Sequence, residues 1–206
     1  MAKVKICGLT REEDIDAVNE VLPDYIGFVF AESKRKIDEN RAAELKKRLD
    51  PRIKAVGVFV NDVPERIIRL CRNRIIDVVQ LHGDEDETYI KQLKKHVSNE
   101  IIRAIRVRNK DDIENAMNYS ADFLLFDTYR EGLYGGSGKT FDWLLVTAVN
   151  RPFFLAGGIN PENAIHAIKT VNPYCIDVSS GVETNGVKDP GKIADIVTIA
   201  RQYAVE

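Results

Sequence analysis

The chain has 206 residues, 44% of them hydrophobic and 30% charged, with 30 Lys and Arg against 32 Asp and Glu for a formal net charge of -2. One hydrophobic core is normal at this length, and the balance excludes a disordered chain. It also lacks the concentrated basic surface that nucleic acid or an anionic membrane wants, since Lys34-Arg35-Lys36 and Lys46-Lys47-Arg48 are short runs offset by nearby acids.

No run approaches the roughly 18 apolar residues of a membrane span, and the polar stretch after Ile6 is unlike a signal peptide. Cys7, Cys71 and Cys175 are widely spaced with no CxxC pair, so they read as free thiols in a reducing, cytoplasmic compartment. His82, His96 and His166 show no metal-ligand spacing.

In chain order, short apolar runs alternate with longer amphipathic ones. Strands are expected at Lys3–Cys7, Tyr25–Phe30, Lys54–Val60, Asp77–Leu81, Ile101–Val107, Phe123–Asp127, Phe153–Ala156 and Cys175–Val178. Several are nearly continuous apolar runs, as in parallel sheets covered on both faces. Thr10 and Glu13 have capping-box spacing ahead of Ile15, Val18 and Leu22. Asp62 precedes Pro64 and a stripe with Ile67 and Leu70, while Asp84 and Glu87 flank a helix start before Ile90 and Leu93. Asn160-Pro161 and Asp189-Pro190 each place a cap residue before a proline at the first helical position. Ile193, Ile196, Val197 and Ala200 mark a terminal helix. Eight strand–helix units imply an α/β fold, a compact single (βα)8 TIM barrel spanning residues 1–206 as one domain. A doubly wound open sheet is the competing arrangement.

In a parallel barrel the chemistry lies where the strands end. The first strand ends at Cys7-Gly8, the second runs to Ser33-Lys34-Arg35, the fourth ends Gln80-Leu81-His82-Gly83 and the sixth Phe126-Asp127-Thr128. The last two run into Gly157-Gly158-Ile159-Asn160 and Ser179-Ser180-Gly181, small residues whose amides can approach a phosphate. Tight strand-to-helix turns would use the same glycines. A lone strand cysteine is ordinarily a small hydrophobe, yet at a barrel mouth Cys7 can supply a thiolate. Asp127 is a helix cap, an Arg partner, or an acid facing the mouth. Arg35 is plain surface charge or a planar donor for a carboxylate. Cys71 lies within a helix and Cys175 at the far end of its strand. Gly138-Lys139-Thr140 misses the P-loop pattern because Leu133 stands at the first glycine position, and a loop covering the mouth is the better reading of 134–140.

Taken together, these residues resemble the phosphoribosylanthranilate isomerase family. The matching segments are 5–10 (KICGLT), 80–83 (QLHG), 126–128 (FDT), 135–143 (GGSGKTFDW), 155–163 (LAGGINPEN), 177–183 (DVSSGVE) and 186–193 (GVKDPGKI). The resemblance implies an Amadori rearrangement of N-(5'-phosphoribosyl)anthranilate to 1-(2-carboxyphenylamino)-1-deoxyribulose 5-phosphate in tryptophan biosynthesis. It casts Asp127 as the acid that protonates the ribose ring oxygen and Cys7 as the base that removes the C2' proton. Arg35 would hold the anthranilate carboxylate, and Gly158, Ser180 and Gly181 the phosphate. Gln80, His82, Gly157, Asp177 and Ser179 complete the expected substrate-binding set. No cofactor, metal or obligate protein partner is implied.

Lys34 stands where the family often has proline, Ser137 where threonine is common, and Ile159 where leucine is usual. The alternatives are the histidine-pathway aminoaldose isomerase, which uses a carboxylate base, and a silent sugar-phosphate binding protein.

Overall fold

The computed structural model describes residues 2–128 and 141–202. Its strands are β1 (Lys3–Cys7), β2 (Tyr25–Val29), β3 (Lys54–Phe59), β4 (Val78–Leu81), β5 (Glu100–Val107), β6 (Phe123–Thr128), β7 (Phe153–Leu155) and β8 (Cys175–Val178). They pair in sequence order, all parallel, and β8 returns to β1 to close the barrel. Closure settles the choice against an open sheet.

The helices are α1 (Glu12–Val21), α2 (Glu39–Arg48), α3 (Pro64–Arg72), α4 (Glu87–Lys94), α5 (Lys110–Ala116), α6 (Ala164–Val171) and α7 (Pro190–Gln202). Of the eight expected strand–helix units the sixth differs: among the described residues, the β6–β7 connection holds a 3-10 turn at Trp143–Val146 in place of an α-helix. The expected covering loop at 134–140 lies outside the described residues.

Two helix starts also shift, at α1 and α6. Asp14, rather than Glu13, completes the box of α1, accepting from the amides of Thr10 and Arg11 at 3.0 Å each. The α4 start lies between Asp84 and Glu87 as expected, with Asp86 as its cap accepting from the Tyr89 amide at 2.8 Å. Asn160 and Asn163 exchange amide bonds of 3.0 Å each, and this closed turn delays α6 to Ala164. At α1 the shorter acid one position on makes the better cap geometry. The Asp189-Pro190 start of α7 stands as expected.

Strand side chains alternate between two environments. Tyr25, Val56, Val78, Ile102, Leu125, Phe154 and Cys175 point inward and fill the base of the barrel. The opposite parity, including Ile6, Phe28, Leu81, Phe126 and Val178, packs between barrel and helices. The filled base leaves only the C-terminal mouth for chemistry. A small antiparallel pair, β9 (Glu183–Thr184) with β10 (Val187–Lys188), follows β8. Among the described residues no helix is long and apolar enough to cross a membrane.

Candidate active site

The mouth holds one cavity lined by Cys7, Ser33, Arg35, Gln80, His82, Asp127, Gly157, Gly158, Asp177, Ser179 and Ser180, together with Val29, Val58, Ala156 and Ile159. Each of the expected site residues except Gly181 thus faces one space. A Cβ on Gly181 would lie 1.9 Å from the Ile159 carbonyl oxygen, so this residue packs the loops after β7 and β8 together instead of lining the cavity.

Cys7 ends β1 on the inward face, level with Gly27 of β2. A Cβ on Gly27 would come within 2.6 Å of the Cys7 Sγ, so the missing side chain makes room for the thiol. Burial pushes the thiol above its ordinary range, and the nearby cations Lys5 and Lys188 pull against that while Asp177 adds to it. Lys5 has the same inward parity as Cys7. It is fully buried and pairs with Asp177, its register partner on β8, at 2.8 Å. Burial works against the Lys5 charge, but Asp177 and Cys7 hold its pKa above the usual value.

A second charged group lies beside the first. Arg35 donates from Nε and Nη2 to Glu183 at 2.7 and 2.8 Å, which leaves Nη1 uncommitted among the described residues. Lys188 donates to Glu183 at 2.6 Å and to the Ser179 carbonyl at 2.9 Å, while Ser179 Oγ donates to the Cys7 carbonyl at 3.1 Å. Burial lowers the Lys188 pKa despite its pairing. Burial opposes the Glu183 charge, yet Arg35 and Lys188 hold its pKa below the usual range. The pose of Arg35 is therefore set by Glu183, whatever freedom Lys34 gives the backbone. Lys5, Lys188, Glu183 and Gly27 were missed by the sequence reading; only Lys5 left a signal, its alternation with Cys7.

Asp127 sits across the cavity at the end of β6, buried to 4% exposure. Its Oδ1 accepts from the Thr128 amide at 2.7 Å, and its Oδ2 lies 3.3 Å from His82 Nε2. Among the described residues it neither caps a helix nor pairs with an arginine. Gly157 backs this arrangement at φ +86, where a Cβ would meet Thr128 Oγ1 at 2.3 Å and Asp127 Oδ1 at 2.9 Å. Only glycine satisfies both the left-handed backbone and the close approach.

The family model described as N-(5'phosphoribosyl)anthranilate (PRA) isomerase matches residues 4–199. An N-(5'-phosphoribosyl)anthranilate isomerase from Endomicrobium trichonymphae is 56% identical over 201 residues, 98% of this chain and 99% of that one. Among solved structures, the phosphoribosyl anthranilate isomerase of Thermotoga maritima superposes with a TM-score of 0.89 at 39% identity, covering 98% of this chain and 100% of that one. Another, solved in complex with reduced 1-(o-carboxyphenylamino)-1-deoxyribulose 5-phosphate, gives 0.86 at 37% identity over the same shares. With the match running from the first strand to the last helix, the chain belongs to the phosphoribosylanthranilate isomerase family.

Proposed function

We propose that Cys7 is the base and Asp127 the acid with which this enzyme isomerises N-(5'-phosphoribosyl)anthranilate to 1-(2-carboxyphenylamino)-1-deoxyribulose 5-phosphate in tryptophan biosynthesis. The carrying observation is that both side chains face one cavity whose rim is formed by the loops after β7 and β8. Asp127 gives its proton to the ribose ring oxygen as the C1'–O bond breaks and the anilino nitrogen forms a Schiff base. The Cys7 thiolate then takes the C2' proton, and the enolamine tautomerises to the ketone. The substrate nitrogen is the electron sink.

The two anionic ends of the substrate orient this chemistry. Arg35 meets the anthranilate carboxylate through its remaining Nη1 donors, one fork having gone to Glu183. Gly157, Gly158, Ser179 and Ser180 meet the phosphate at the rim, with Gly181 holding the loop shape. Asp177 keeps one oxygen, Oδ1, without a hydrogen-bond partner among the described residues, and this oxygen takes a donor from the substrate. Binding both remote ends fixes the sugar carbons between acid and base. The reaction runs in the reducing cytoplasm, in keeping with three free cysteines.

Loss of substrate fluorescence tests the assignment on native enzyme, Cys7→Ser and Asp127→Asn. Each substitution is expected to lower kcat by about 10²–10⁴-fold, the usual worth of a positioned acid or base. Undiminished turnover in either variant removes that residue from its role.

A further inference from the structure

Gln80 and His82 line the cavity beside Asp127 at 1% and 8% exposure, two residues apart and so on the same inward face. Gln80 Nε2 lies 2.9 Å from His82 Nδ1. With the Gln80 amide nitrogen turned toward the ring as donor, Nδ1 is the acceptor and the ring carries its proton on Nε2. That nitrogen lies 3.3 Å from Asp127 Oδ2, out of line for a full hydrogen bond. Contacts of this kind tighten when a substrate fills the site. Because Thr128 donates to Oδ1 at 2.7 Å, Oδ2 is the oxygen left to carry the acid proton.

We infer that Gln80 and His82 are positioning residues for the acid: Gln80 locks His82 as the Nε2–H tautomer, and His82 supports the Asp127 carboxylate without being able to take its proton. The one lone pair of the ring is occupied by Gln80. The Asp127 proton therefore goes to the ring oxygen, and the N–H then donates to the carboxylate that remains. No proton is transferred to or from the imidazole in the cycle. This inference rests on the reading of Asp127 as the acid.

Nitrogen-15 NMR of the native enzyme reads the tautomer directly, with His82→Gln assigning the signal among the three histidines. The Nε2–H pattern at neutral pH is expected; an Nδ1–H pattern or an imidazolium overturns the inference. In steady-state kinetics, His82→Leu is expected to lower kcat by about tenfold or more with KM changed less than about threefold. His82→Gln, whose amide places an N–H where Nε2–H stood, is expected to recover most of that loss. Equal loss in both variants, or a loss confined to KM, overturns the positioning role. Turnover surviving in Asp127→Asn would sink the acid assignment and this inference together. An inactive Asp127→Asn with the wrong tautomer sinks the inference alone.

Discussion

The Cys7 thiol feels two lysines drawn from opposite ends of the chain. Lys5 comes from the same strand and Lys188 from β10, and both favour the thiolate against the cost of burial. The net displacement of the thiol is upward, so the thiolate fraction grows with pH through the neutral range. Removing a cation raises a thiol pKa further. Lys188→Gln is therefore expected to move the midpoint of Cys7 alkylation by iodoacetamide to higher pH, followed by mass spectrometry of the Cys7 peptide. A midpoint that stays put or falls contradicts the electrostatic role of Lys188. The more deeply buried Lys5 is a poorer probe, because its loss would strand Asp177 at a cost of about 3–5 kcal/mol.

The short β9–β10 pair acts as a clamp between elements. Its first residue, Glu183, joins Arg35 from the β2 side to Lys188 on its own partner strand. The Glu183 pKa is depressed in the fold, so its pairing contributes stability above the unfolded carboxylate range. That contribution is lost as pH falls through the folded value. Urea denaturation across acid to neutral pH is expected to show a shallower pH dependence for Glu183→Gln than for the native chain. The same substitution frees Arg35 and is expected to raise KM more than it lowers kcat. An unchanged pH dependence would mean that the three-membered pairing adds nothing to the fold. Nothing in the local pattern announced this clamp. Two-residue strands leave no periodicity, and Arg35 and Glu183 stand 148 positions apart.

At the scale of the molecule, α7 lies against α1 and β1 and so covers the seam where the last strand meets the first. Ile196, fully buried on α7, belongs to the layer between barrel and helices. We propose that the chain folds as one cooperative unit, because a closed ring has no boundary across which half could unfold alone. Ile196→Ala is expected to cost about 2–5 kcal/mol. Circular dichroism and the fluorescence of Trp143, the one tryptophan, should then report a single lowered transition. Separate midpoints for the two signals would divide the unit.

Eight strands, their parallel character and the residues at their ends followed from the sequence, because apolar runs and helix starts are local signals with fixed periods. The placement of Cys7, Asp127 and the loops after β7 and β8 at the mouth was legible for that reason, and the α1 cap was displaced by one residue where neighbouring acids competed. The tertiary structure alone decided who meets whom. Barrel closure brings Lys5 to Asp177 across 172 positions, and the register of β4 with its neighbours turns His82 toward Asp127. It also decided that Arg35 is half committed to Glu183 and that Gly181 packs against the Ile159 carbonyl. Such pairings depend on strand register and ring closure, which spacing along the chain does not encode.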